Sequence, residues 1–197
     1  MILKPDELAT KDVYKFSIGA VLPRPIAWVS TRDIAGNLNL APYSFFTVAS
    51  NNPFTLLFCP QDPKPGVSKD TLLNIEAVPE FVINITNEAT AAAMSASAAG
   101  LPPGESEFDY AQVTPAASET ISVPRVAEAP VAFECVLHDI VRVGSGAVVM
   151  GRVTAIHIDD AFYDDKGYVL WEKMGAIGRL AGNHYTRVTD HFEIGRR

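Results

Sequence analysis

Between residues 131 and 158 the chain carries two long β-prone runs, 131–143 and 147–158, separated only by Gly144-Ser145-Gly146. Valine and isoleucine recur through both, and these branched side chains fit a pleated, half-buried surface. A glycine-bracketed turn this short can join only antiparallel neighbours, because a parallel pair needs a crossover of a dozen or more residues. This hairpin sets the terms for the rest of the chain: it demands an antiparallel sheet.

The remaining segments agree with it. Residues 26–30 are β-prone, with Ile26, Trp28 and Ser30 on one face and Ala27 and Val29 on the other, and Gly36-Asn37 reads as a hairpin turn. A second β stretch is expected at 43–48, then the turn signal Ser50-Asn51-Asn52-Pro53, a third strand at 54–59 and a fourth at 81–85. Three helices are expected. Thr10 caps a short one carrying Val13, Phe16 and Ala20 at helical spacing, which must end before Pro23. Ser68 opens another that runs to about 78 and stops at Pro79, and Asn87 caps an alanine-rich one that reaches about 99 before Gly100. The Pro-rich piece 60–66 reads as a loop, 101–110 as an irregular surface segment, and 169–171 as a short strand. With two internal helices between strands, the order favours a Greek-key barrel over a parallel doubly wound sheet. No repeat or linker divides the chain, so one domain over 1–197 is the expectation.

Charge and composition narrow the function. With 16 basic against 23 acidic residues the formal net charge is −7, which argues against a general nucleic-acid binder but leaves room for a small phosphorylated ligand held locally. The N-terminal residues lack the apolar run of a signal peptide, and no segment approaches the ~20 apolar residues of a membrane span. A cytoplasmic protein without membrane contact is expected. Cys59 and Cys135 match no metal or redox spacing and sit in apolar runs, which predicts buried free thiols in a reducing compartment. His138, His157, His184 and His191 form no metal-ligand spacing; His138 and His157 read as ordinary strand positions. No Gly-x-Gly-x-x-Gly after a strand, Walker loop or His-Glu-x-x-His is present, so no metal is expected and no catalytic residue is assigned.

Four stretches could still hold a ligand. Ser68-Lys69-Asp70-Thr71 opens a helix, whose unpaired amides and positive dipole end attract anions; Ser68 and Thr71 add hydroxyls and Lys69 a charge. A phosphate monoester fits there, and a double replacement of Lys69 and Thr71 is expected to weaken its retention without harming the fold. The same run also reads as a plain capped helix. Asn39-Leu40-Ala41-Pro42-Tyr43-Ser44-Phe45-Phe46, with Ser50-Asn51, sets small polar residues beside aromatics and suits a flat heteroaromatic ligand, or simply a strand and a turn. In Pro23-Arg24-Pro25 two prolines hold an arginine extended, as an anion contact or a surface residue. His184 lies in a glycine-rich tail with Arg179, Asn183 and Tyr185.

Together these pieces resemble the flavin-reductase-like, FMN-binding split-barrel family, above all its longer branch that includes flavoredoxin. The likeness rests on Pro23-Arg24-Pro25-Ile26-Ala27-Trp28-Val29-Ser30-Thr31, the 39–46 run, Ser50-Asn51-Asn52-Pro53, Lys69-Asp70-Thr71-Leu72-Leu73-Asn74-Ile75 and Ile177-Gly178-Arg179-Leu180-Ala181-Gly182-Asn183-His184-Tyr185, in family order. The resemblance implies a six-stranded antiparallel Greek-key split barrel with flanking helices, a homodimer with FMN at the subunit interface, and oxidoreductase chemistry. Carried onto this chain, Ser68, Lys69, Asp70 and Thr71 with Ser50 and Asn51 hold the phosphate and ribityl chain. Arg24, Ser30, Ala41 and Ser44 line the flavin, and His184 and Tyr185 approach it. NADH or NADPH is the implied electron donor. In one place the pattern departs: two-component flavin reductases carry Gly-Asp-His before the second long strand of the hairpin, and this chain has Gly144-Ser145-Gly146. A nicotinamide contact through that histidine does not carry over. Reduction of the FMN by a redox protein partner, as in flavoredoxin, is therefore the alternative expectation, and a flavin- or haem-binding module without turnover is a third.

Overall fold

The computed structural model describes residues 1–62, 64, 66–102 and 105–195. Pro63 and Pro65 of the expected 60–66 loop, and Pro103 and Gly104 of the expected 101–110 segment, lie outside the described residues. Helix α1 spans Thr10–Ala20. Strands β1 (Ala27–Arg32), β2 (Leu38–Tyr43), β3 (Phe46–Asn51) and β4 (Phe54–Phe58) follow, then α2 (Asp70–Ala77) and β5 (Glu80–Ile85). Next come α3 (Ala91–Ala96), α4 (Glu107–Tyr110), the two-residue strands β6 (Pro115–Ala116) and β7 (Arg125–Val126), and the long hairpin β8 (Val131–Val143) and β9 (Gly146–Ile158). The chain closes with α5 (Trp171–Met174), β10 (Ile177–Arg179) and β11 (Tyr185–Arg187). Among the described residues no helix is long and apolar enough to cross a membrane.

Seven strands form one sheet in the order β2-β1-β5-β8-β9-β4-β3, every neighbouring pair antiparallel. Its two edge strands, β2 and β3, are consecutive in the chain and joined only by Ser44 and Phe45. Two residues span roughly 10 Å at most, so the sheet curls until its edges meet, giving a split barrel. The mainly β antiparallel class is as expected, but the strand count is seven and not six. Tyr43 to Val48 is not one strand: Tyr43 pairs with Ala27 at one edge, whereas Phe46 pairs with Phe58 at the other.

Strand β1 is buried on both faces and divides two cores. Ala27 and Val29 point into the barrel with Leu56, Phe58, Phe81, Ile83, Val149 and the α2 residues Leu72 and Ile75. Ile26 and Trp28 point outward, into a second core with Leu40, Met94, Phe108 and Val126. The alternation read from the sequence is thus found in the packing. The barrel core closes tightly over Gly151, where a β-carbon would come within 2.2 Å of Phe81 Cζ and 2.9 Å of Cys135 Cβ. Since Phe81 is fully buried and has no room to swing aside, Gly151→Ala is expected to destabilise the protein by about 1–3 kcal/mol. The check is a lower urea midpoint at unchanged slope.

Several local expectations are corrected. Thr10 is the first helical residue and Ala9 occupies the N-cap position, with no side-chain cap. The second helix begins at Asp70 with Lys69 as N-cap, and Ser68 instead accepts a hydrogen bond from Arg142. Asn87 Oδ1 caps the amide of Thr90 one turn early, and α3 ends at Ala96, where Ser97 Oγ donates to Met94 and accepts from the Trp28 indole. The expected irregular segment contains α4, because the fully buried Phe108 anchors it and Ser106 caps it. Val169 makes an isolated bridge to Tyr163, and Trp171 starts α5 in place of a strand. Cys135 is a buried free thiol, whereas Cys59 is only half-buried.

Candidate functional site

The end of β2 and the start of α2 face each other across a cleft of about 320 Å³. Residues 39, 41–45 and 69–71 line it, with Tyr14, Cys59, Gln61, residues 97–101 and Glu107 closing the sides. Its volume falls within the ~300–1,000 Å³ usual for small-molecule sites. β2 is an edge strand, so every second backbone position faces away from β1. The outward Leu40 amide donates to Glu107 Oε2 at 3.1 Å, and Pro42, also outward, has no N–H to leave unpaired.

Beneath the cleft is a polar network. Asn39 Nδ2 donates to Thr71 Oγ1 at 2.9 Å and to Thr31 Oγ1 at 3.2 Å, and Asn74 Nδ2 reaches the same Thr31 oxygen at 3.1 Å. Burial pushes the Tyr43 phenol up to about 12, against a hydrogen bond with Thr71 that works the other way, so Tyr43 is neutral throughout the physiological range. Burial also raises the Glu107 carboxyl above its ordinary value. At the mouth, Lys69 is the lone lysine or arginine lining the cleft among the described residues, and it makes no ion pair there. The amides of Asp70 and Thr71, as the first of α2, find no acceptor among the described residues. Those amides and Lys69 offer donors and positive charge to an anion, and the β2 edge offers outward carbonyls to a donor group.

A second cavity, of about 390 Å³, shares Tyr14, Pro42, Ser44 and Ala98 with the first and so lies directly beside it. Arg24, Arg179, Asn183 and Tyr185 line its far side. Arg24 is buried; its guanidinium donates to the carbonyls of Ile18, Val21 and Leu180 at 2.8–3.0 Å and to Ser44 Oγ at 3.3 Å. It thereby caps the last turn of α1, which buries no residue of its own.

The twelve residues singled out from sequence divide clearly. Ala41, Ser44, Lys69, Asp70 and Thr71 line the first cleft, and Arg24, Ser44 and Tyr185 line the second cavity. Thr71 is buried and works from below, not at an accessible surface. Ser30 is fully buried, donates to the Pro124 carbonyl at 2.6 Å, and so cannot line a ligand. Ser50 and Asn51 end β3 outside both cavities, and Ser50 Oγ accepts from the Asn52 amide. Ser68 and the exposed His184 also lie outside both linings, the latter in the β10–β11 turn, where its amide bonds Ala181. Sequence reasoning left out Tyr14, Tyr43, Glu107 and Arg179. Arg179 and Tyr43 stood inside quoted motifs, but Tyr14 and Glu107 carry no local signal.

Comparison with known proteins places this geometry in context. Residues 19–175 match the family model described as "Flavin reductase like domain". Nitrilotriacetate monooxygenase component B from Bacillus cereus is 38% identical with a TM-score of 0.95, over 98% of this chain and 98% of that one. The 2-nitrobenzoate 2-nitroreductase NbaA of Pseudomonas fluorescens is 30% identical with a TM-score of 0.91, over 100% and 96%. Flavoredoxin of Desulfovibrio vulgaris (Miyazaki F), at 18% identity and a TM-score of 0.79 over 98% and 97%, shares the fold.

Proposed function

This chain belongs to the flavin reductase-like family of oxidoreductases, and from that membership we propose that it binds FMN in the β2–α2 cleft and passes electrons from NADH or NADPH to a separate acceptor. The observation that carries the choice of FMN is the mouth of that cleft, where Lys69 and the free amides of Asp70 and Thr71 suit a terminal phosphate monoester. When bound, the flavin supplies hydride acceptance and electron transfer. The protein binds and orients it. Lys69 and the α2 amides hold the phosphate, and the outward carbonyls of Leu40 and Pro42 receive ring N–H groups. The neutral Tyr43 phenol and the Thr71–Asn39 pair keep the floor rigid and uncharged. Because the carboxylates of Asp70 and Glu107 share the lining, the phosphate depends on the Lys69 charge and the α2 amides to offset their repulsion. The likeness to a monooxygenase component B supports an acceptor outside this chain.

A specific observation favours a second reading, in which a redox protein partner and not a nicotinamide reduces the FMN. The Gly144-Ser145-Gly146 turn packs beside the cleft: Ser145 accepts from the Asp62 amide, and the Gln61 side chain, which lines the cleft, lies against Gly146. That turn offers no imidazole to a nicotinamide. One experiment separates the readings. FMN is added to the purified protein, quenching of its fluorescence is followed, and NADH or NADPH is then added without oxygen. Quenching followed by bleaching of the flavin absorbance is the expected result. Quenching without bleaching selects the protein-donor reading, and no quenching rejects FMN binding.

A further inference from the structure

The second cavity concentrates positive charge that the protein leaves unanswered. Arg24 and Arg179 face each other across an antiparallel bridge, exchanging both backbone hydrogen bonds at 3.0 and 2.8 Å. Directly opposed residues in such a pair project to the same side, where like charges repel. Every acceptor of the Arg24 guanidinium is neutral. Arg179 likewise bonds the Gly182 carbonyl at 2.5 Å and the Tyr185 hydroxyl, with its guanidinium carbon 4.5 Å from the Tyr185 ring centre. Neither arginine has a carboxylate partner among the described residues, and no Asp or Glu lines the cavity. This happens in a chain with 23 acidic residues against 16 basic ones, so carboxylates were not scarce. Burial lowers the Arg24 proton affinity; Tyr14 works against that shift and Arg179 adds to it.

We infer that Arg24 and Arg179 form an anion subsite for the second redox substrate, holding its carboxylate or phosphate while flavin occupies the neighbouring cleft. The inference rests on the flavin reading above and extends it. Arg24 spends most of its N–H groups on Ile18, Val21, Leu180 and Ser44 and acts as a fixed buried charge, so an oxyanion is gripped by the N–H groups of Arg179 left over from Gly182 and Tyr185. The rings of Tyr14 and Tyr185 supply aromatic walls in an otherwise largely polar lining, so the ligand joins an anionic end to an aromatic body. The shared lining at Tyr14, Pro42 and Ser44 brings that body to the first cleft when its anion is anchored on the arginines. The shared chemistry has two sources: the phosphates of a nicotinamide dinucleotide, or the carboxylate of an aromatic acceptor.

Arg24 also holds the end of α1, so Arg179→Gln is the informative variant, and Arg142→Gln at a surface ion pair is its control. Inorganic pyrophosphate and benzoate are titrated calorimetrically into FMN-loaded wild type and both variants. Arg179→Gln is expected to weaken anion binding about tenfold to a hundredfold, with FMN affinity and the control unchanged. Steady-state kinetics then name the source. A raised KM for NADH at near-constant kcat identifies the dinucleotide phosphates, and a raised KM for 2-nitrobenzoate with NADH unaffected identifies the carboxylate. Unaltered anion affinity in Arg179→Gln overturns the subsite, and an equal loss of FMN affinity overturns it in favour of flavin phosphate at the arginines. If the protein takes up no FMN, the flavin reading fails separately, and pyrophosphate titration of the bare protein still decides whether the arginines bind anions.

Discussion

Replacing Glu134 with alanine is expected to cost about 3–5 kcal/mol of stability, measured as a drop in the urea midpoint. Glu134 is fully buried on β8 and accepts four hydrogen bonds: from the Glu119 amide at 2.6 Å, the Thr120 amide at 2.7 Å, the Thr120 hydroxyl at 2.6 Å, and His157 Nε2 at 2.5 Å. It pins the segment before β7 across the sheet, and Glu80 does the same for Ser122 at 2.8 Å. Alanine would leave two amides and the imidazole without their acceptor and open a cavity beside them. Burial by itself pushes the Glu134 carboxyl up, but the bonds from Thr120, His157 and Glu119 outweigh it and bring it down to about 2. A carboxylate held below its unfolded value stabilises the fold above the unfolded pKa, and that stability is lost as pH falls through the folded one. The wild type is therefore expected to lose about 3 kcal/mol between roughly pH 4.5 and 2, an acid limb that Glu134→Gln flattens. Since Glu134 lines neither cavity, FMN affinity at neutral pH should not move with this variant.

The largest functional effect is expected at Lys69. Lys69→Ala removes the only lysine or arginine lining the first cleft among the described residues and should weaken FMN binding by about tenfold to a hundredfold, from the ~1.5–3 kcal/mol of a hydrogen bond to a charged group. Fluorescence titration measures it, and the loss should shrink for riboflavin, which has no phosphate. An unchanged FMN affinity would remove Lys69 from the site. Thr71→Val behaves differently. Its buried hydroxyl accepts from Asn39, so that change leaves the Asn39 amide short of an acceptor and is expected to lower stability by about 1–3 kcal/mol as well as affinity. The pair expected from sequence to act alike at one surface thus separates into a surface charge and a buried support.

Part of the cleft's lining was legible because it lies on short, continuous stretches. Ala41 and Ser44 share a strand end, and Lys69, Asp70 and Thr71 share a helix start, so local chemistry suffices to single them out. Ser30 was misjudged for a reason that no local pattern reveals. Its alternation with Trp28 is correct, but the face they share is covered by residues 123–126, and the hydroxyl is spent on Pro124. Tyr14 and Glu107 went unnoticed for the converse reason. Each sits in a segment of ordinary composition and becomes part of the lining only when α1 and α4 fold against β2. Ser50 and Asn51 were singled out as small polar residues beside aromatics and by the resemblance, yet the β3–β4 turn carries them away from both cavities of the protomer.

By itself the sequence determined the antiparallel class, the long β8–β9 hairpin nearly to the residue, the two faces of β1 and the start of α2 to within two residues. Each follows from periodicity, turn chemistry and helix-end amides, which act over a few neighbouring residues. The tertiary structure alone decided that one expected β stretch breaks at Ser44-Phe45 to supply both edges of the sheet, and that Arg24 pairs with Arg179 at one end of a cavity with no carboxylate in its lining among the described residues. Those outcomes depend on how far the sheet curls and on which buried side chains draw distant segments together. That is a property of the packed whole, not of any window of the chain.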